Sequence, residues 1–130
     1  MEFIKWTEDY SVKNEVLDNQ HKRLFEIINE LYTMFANNEH KEKVGKIITE
    51  LYKYTIYHFT EEESLLREKG NPLPMSHVQK HQEFTEKVKY FKLEFETGNK
   101  GITYEIMNFL RQWLIQHIQG VDTTYSYVFG

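Results

Sequence analysis

Histidine recurs in this chain at helical spacing, in places where a helix would otherwise continue its apolar seam. Five of the six histidines combine with one glutamate and one aspartate into a single donor set: His21, His58, Glu62, His77, His81, His117 and Asp122. The pairs His58-x-x-x-Glu62 and His77-x-x-x-His81 each place their members about 40° apart on one helical face, one turn above the other. Each pair can therefore grip one site from one helix, and the whole set has enough donors for two metal ions.

The pattern of apolar residues and breakers gives four helical segments, at roughly 18–37, 40–69, 74–97 and 103–119. Asp18 is positioned to cap the first. The breaks are Asn37-Asn38, then Gly70-Asn71-Pro72-Leu73-Pro74, then Gly98-Asn99-Lys100-Gly101, and Gly120 ends the last segment. The inward seams run His21, Leu24, Ile28, Leu31, Phe35; then Val44, Ile48, Leu51, Thr55, His58, Glu62, Leu65. They continue His77, His81, Phe84, Val88, Phe91, Phe95, and finally Ile106, Leu110, Trp113 or Leu114, His117. Every candidate donor on a helix thus occupies a core position.

Burying imidazole and carboxylate unpaired costs several kcal/mol each, so something must satisfy them. Short connections favour antiparallel neighbours, which makes the expected fold an all-α, up-down-up-down four-helix bundle with an N-terminal arm and a short C-terminal segment. In that topology His21, His58/Glu62, His77/His81 and His117 all lie at one end. Phe35, Val44, Phe95 and Ile106 fill the other. Asp122 is the exception, because five residues beyond His117 an ideal helix has turned about 140° away from the site. A left-handed glycine turn at Gly120 would bring it back.

Composition narrows the function classes. A chain of 130 residues suits one domain with its own core. We read it as an arm at about 1–17, a bundle at about 18–119 and a C-terminal segment at about 120–130. The net charge of −4 is spread along the helices, without the basic stripe that a nucleic acid needs. No apolar run is long enough for a membrane span, and Met1-Glu2-Phe3-Ile4-Lys5-Trp6 lacks a secretory pattern, so a cytoplasmic protein is expected. The absence of cysteine leaves nitrogen and oxygen as donors and excludes thiolate-ligated iron–sulfur clusters.

The residues Asp18-x-Gln20-His21-x-x-Leu24, His58-Phe59-x-x-Glu62-Glu63, His77-x-x-x-His81 and Trp113-Leu114-x-x-His117-Ile118-x-x-x-Asp122-x-x-Tyr125 resemble the bacterial hemerythrins, single-domain oxygen-binding di-iron bundles. The resemblance implies two iron ions joined by an oxo or hydroxo bridge. His77, His81 and His117 would hold one iron, His21 and His58 the other, with Glu62 and Asp122 bridging both. Trp6 and Tyr10 match the family's N-terminal arm, which lies across the bundle. The resemblance also implies an apolar oxygen pocket of Phe59, Trp113, Leu114 and Ile118, with Tyr125 as a hydrogen-bond donor behind the ligands. The sequence departs from the family pattern at Asn71 and Leu66, neither of which is a ligand.

With this ligand division one iron is six-coordinate and the other five-coordinate, leaving one open position for dioxygen. Di-iron oxidases of the ferritin-like bundles carry more carboxylates, in Glu-x-x-His pairs, whereas imidazole dominates here. Each motif also has an ordinary reading. A lone His-x-x-x-Glu is usually a surface pair, Trp113, Leu114, Phe59 and Ile118 would serve equally as plain core, and Tyr125 as an aromatic plug. His40 reads as a solvated helix-start residue, and Glu61 and Glu63 as exposed or behind the ligands. The complete set at one end of a bundle outweighs the separate ordinary readings. Two function classes remain: reversible dioxygen binding for storage, delivery or scavenging, and an enzyme that reduces dioxygen or peroxide or handles nitric oxide. Binding is favoured, because no further carboxylate shares the seam beside the ligands. An oxygen-sensing module ranks lower, on the expectation that it would carry an output domain.

Overall fold

The computed structural model describes residues 3–98 and 101–129. Its long helices are α1 (Glu15–Ala36), α2 (Lys41–Glu68), α3 (Met75–Glu96) and α4 (Ile102–Leu114). A π-helical turn, Ile115–Gln119, continues α4, and short 3-10 helices occupy Glu8–Tyr10 and Asp122–Val128. There is no strand among the described residues. Helix α1 packs on α2, α2 on α3, α3 on α4, and α4 closes the ring against α1. The result is the expected antiparallel bundle.

The helix ends follow local chemistry. Asn14, not Asp18, caps α1: its side chain accepts from Leu17 N at 2.9 Å, so the helix begins three residues earlier than the sequence suggested. Asp18, one turn inside, instead holds the arm, accepting from Val12 N at 2.8 Å and Ser11 Oγ at 2.7 Å. Helices α1 and α2 both end in the 6→1, 5→2 hydrogen-bond pattern that requires a left-handed residue. At α2 the bonds are Asn71 N to Leu66 O and Gly70 N to Arg67 O, with Gly70 at φ 75°. At α1 they are Glu39 N to Met34 O and Asn38 N to Phe35 O, with Asn38 at φ 52°. Asparagine tolerates that conformation better than other side chains do, which explains why Asn37-Asn38 breaks the chain without glycine. In the third break Gly98 adopts φ 87°, and Asn99 and Lys100 lie outside the described residues.

The core follows the seams with one slip of register. Beyond Glu62 the buried residue is Leu66, fully enclosed, while Leu65 is half-buried. Four residues, not three, bring the next turn of α2 back to the seam, because the helical repeat exceeds 3.5 residues. On α4 the buried member of the Trp113/Leu114 pair is Leu114, and at the far end Phe35 and Phe95 are half-buried, their rings 6.3 Å apart. The arm is tied at both ends to α1. Asn29 accepts from Phe3 N and Ile4 N at 2.9 Å and donates to Ile4 O at 2.8 Å, while Phe3, Trp6 and Tyr10 pack on the main core. The C-terminal segment makes a second, smaller apolar cluster in which Val12, Leu17, Leu66 and Tyr125 are buried.

Candidate metal centre

All seven candidate donors come together in one buried layer, each at most 4 % exposed. His21 comes from the start of α1, His58 and Glu62 from the end of α2, and His77 and His81 from the start of α3. His117 comes from the π-helical turn and Asp122 from the 3-10 helix that follows.

That turn is how Asp122 reaches the layer. Gly120 does not adopt the expected left-handed conformation; its φ is −97° and ψ −24°. Instead the helix widens at Ile115–Gln119. A π-helix bonds residue i to i+5, so five residues make roughly one circuit, and Asp122 falls back over His117 instead of swinging past it. The expected unbroken helix over 103–119 is accordingly replaced by an α-helix and a π-helical turn.

The donor atoms divide into two groups. Around the first, His117 Nε2 lies 3.1 Å from His77 Nε2 and 3.2 Å from His81 Nε2. Asp122 Oδ1 lies 2.8 Å from His77 Nε2 and 3.0 Å from His117 Nε2, and Glu62 Oε1 is 3.0 Å from His81 Nε2. Around the second, Glu62 Oε2 lies 3.7 Å from His21 Nε2 and 3.8 Å from His58 Nε2, and Asp122 Oδ2 is 3.4 Å from His21 Nε2. Each carboxylate therefore turns one oxygen to each group, the disposition of a bridging ligand.

This arrangement fits a metal better than it fits a hydrogen-bond network. Glu62 Oε1 and Asp122 Oδ1 stand about 3 Å from imidazole nitrogens yet make no hydrogen bond, and neither do His21 Nε2, His21 Nδ1 and His117 Nδ1, all of them buried. Lone pairs aimed at a shared point produce this combination of short distance and poor alignment. Adjacent donors about 2.1 Å from an octahedral ion are separated by about 3 Å, the spacing found in the first group. Unligated, the layer is electrostatically uneven. Burial alone would lower the His21 pKa, but hydrogen bonds and charge from Asp122 and Glu62 outweigh it and raise it to about 9. Burial and the neighbouring His21 push His58 down to about 3. Burial works against ionisation of Glu62 and Asp122, yet the surrounding histidines hold both carboxyls below their usual range.

Other side chains fix the ligands from behind. Tyr125 Oη donates to Glu62 Oε2 at 2.7 Å, and burial with the two carboxylates keeps its phenol protonated. His58 Nδ1 meets Gln20 Oε1 at 2.7 Å, and His81 Nδ1 meets Glu63 Oε2 at 2.8 Å. Gln20 carried no assigned role in the sequence, where its place beside His21 hides a partner on another helix. Phe59 lies flat on His81 at 3.9 Å and Trp113 flat on His117 at 4.2 Å. Leu114 and Ile118 are buried in the same core cluster as Phe59. His40 is exposed at the start of α2, where its Nδ1 accepts from Glu42 N, and Glu61 is exposed.

Residues 12–126 match the Hemerythrin HHE cation binding domain. The chain belongs to the hemerythrin family. Among hemerythrin relatives, it is 33% identical over 126 residues to a bacteriohemerythrin of Stenotrophomonas maltophilia, covering 97% of this chain and 81% of that one. It is 32% identical over 124 residues to a bacteriohemerythrin of Clostridium acetobutylicum, covering 92% and 96%. A myohemerythrin of Theromyzon tessulatum is 32% identical over 122 residues, covering 94% and 90%. A crystal structure of wild-type hemerythrin superposes with a TM-score of 0.87 at 26% identity, covering 98% of each chain. The hemerythrin fold thus extends over both the arm and the C-terminal segment, and no helix among the described residues is long and apolar enough to cross a membrane.

Proposed function

We propose that this chain, acting as one domain over residues 1–130, reversibly binds dioxygen at a non-haem di-iron centre in the cytoplasm, for oxygen storage, delivery or scavenging. The observation that carries the reading is the division of Glu62 and Asp122 between a three-histidine group and a two-histidine group. His77, His81 and His117 hold one iron and His21 and His58 the other, with Glu62, Asp122 and an oxo or hydroxo oxygen bridging them. When bound, the iron pair supplies the electrons and the open coordination position that dioxygen requires.

The protein's part is to orient the donors and keep the layer dry. Phe59 and Trp113 lie against ligand rings, and together with Leu114 and Ile118 they form the apolar lining that keeps bulk water from the oxygen. Tyr125 holds Glu62 through its hydroxyl. The two further ionisable side chains that hydrogen-bond to the ligand set, Glu63 and Tyr125, are both engaged in fixing it. This favours binding over turnover, since an enzyme needs a group free to move protons.

The test is the visible absorption of anaerobic diferrous protein on adding dioxygen and again after removing it. A charge-transfer band that comes and goes repeatedly is expected. One-way decay to a stable oxidised spectrum, with reductant consumed or peroxide released, would replace this reading with the enzyme.

A further inference from the structure

Two of the five ligand imidazoles are held from behind by a hydrogen-bond acceptor, one in each half of the centre, and the two acceptors differ in charge. In the two-histidine half, the buried Gln20 places its amide oxygen 2.7 Å from His58 Nδ1. In the three-histidine half, Glu63 places a carboxylate oxygen 2.8 Å from His81 Nδ1. An imidazole that donates from Nδ1 keeps the Nε2 lone pair facing forward, which is the form a metal needs. The other three rings are held differently. Trp113 lies on the face of His117 at 4.2 Å and 14°, Tyr125 faces His77 at 6.2 Å and 21°, and His21 meets His58 edge-on at 4.6 Å. Stacking fixes the plane of a ring but does not choose its tautomer.

We infer that Gln20 and Glu63 are the positioning residues of the two halves of the centre, one for each, and that the charge on Glu63 makes the three-histidine half the tighter one. This rests on the metal-centre reading above. A carboxylate behind an imidazole pulls its proton and increases donor strength at the other nitrogen, whereas a neutral amide orients the ring and adds little to its basicity. The difference adds to the larger number of histidines in that half.

The experiment uses the full chain loaded with zinc, a diamagnetic probe, with 15N-labelled histidine. Wild-type protein is expected to take up two equivalents, to show His58 and His81 as Nδ1–H tautomers by NMR, and to release zinc to a chelator in two phases. Glu63→Ala should speed only the slow phase, and Gln20→Ala only the fast one, each by roughly tenfold to a hundredfold, the usual effect of losing such a partner. Glu63→Gln keeps an oxygen acceptor without charge. It should preserve the His81 tautomer while accelerating the slow phase less than Glu63→Ala does. A purely structural role would speed both phases alike in either variant. That result, or Glu63→Gln behaving like Glu63→Ala, or unchanged release in all three variants, overturns the assignment. Failure of wild-type protein to bind two equivalents overturns the metal-centre reading itself, and this assignment with it.

Discussion

Leu114 and Tyr125 separate two tasks that single side chains perform beside the candidate ligands. Leu114 is an apolar side chain on α4, three residues before His117 and buried in the main core. Leu114→Ala is expected to retain both irons but shorten the lifetime of the oxygen-loaded form, because water gains access where the side chain was. Iron analysis and the decay of the visible band check the two halves of that statement, and an unchanged lifetime counts against a role in the pocket. The substitution also removes core volume, at a cost of about 2–5 kcal/mol. Tyr125 has a polar task, since its hydroxyl partners a carboxylate oxygen in a buried layer. Tyr125→Phe should lower unfolding stability by about 1–3 kcal/mol, the penalty for stranding a buried acceptor. Equilibrium denaturation of wild type and variant at the same metal content measures it, and equal midpoints would mean that the hydroxyl contributes nothing there.

Among the elements, the π-helical turn Ile115–Gln119 and the arm carry the most specific consequences. The turn holds Asp122 in the layer by adding roughly one residue to a circuit of helix. Deleting Gln116, an exposed residue within it, would let the backbone close into an ordinary α-helix and rotate Asp122 out by about 100°. The expected outcome is loss of bound iron with nearly unchanged far-UV circular dichroism; full iron content in the deletion variant would contradict this geometry. The arm depends on Asn29, which makes three hydrogen bonds to its backbone. Asn29→Ala should release the arm while leaving the four helices formed. Acrylamide quenching of tryptophan fluorescence would rise as Trp6 leaves its half-buried place under Lys22, whose Nζ lies 4.3 Å from the ring centre. No change in quenching would show that packing of Phe3, Ile4 and Tyr10 holds the arm without that clamp.

For the molecule as a whole, the metal layer sets the response to pH. Without metal, the raised pKa of His21, about 9 against 6.5, contributes stability that is complete below pH 6.5 and lost as pH rises through 9. The lowered pKa of His58, about 3 against 6.5, contributes stability that is complete above pH 6.5 and lost as pH falls through 3. The depressed carboxyls of Glu62 and Asp122 also lose their contribution on the acid side. Chelator-treated protein should therefore be most stable near pH 6.5. Metal binding displaces the His21 proton, so loaded protein should melt higher and lose the decline between pH 6.5 and 9. Thermal unfolding across pH with and without metal tests both, and parallel curves would show that His21 does not ligate.

The bundle was legible in the sequence because helical period, breakers and short connections each have a local cause, and local causes survive without coordinates. Burial of polar donors at seam positions was legible for the same reason, since His21, His58, Glu62, His77, His81 and His117 all follow the apolar spacing. What surrounds the donors was not. Gln20 and Glu63 sit beside ligands in sequence but partner rings on other helices, and only packing brings those partners within reach. The cap at Asn14 displaced Asp18 because the arm, folded back over α1, gave that carboxylate better donors. The route of Asp122 was likewise decided by the folded chain: the widened turn at Ile115–Gln119 leaves no distinctive residue pattern, and is stable where the carboxylate it positions meets the histidines of the other helices. The sequence by itself determined which residues are buried and at which end of the bundle they gather; the tertiary structure alone decided how each donor is aimed, because aim depends on contacts between helices that no local spacing encodes.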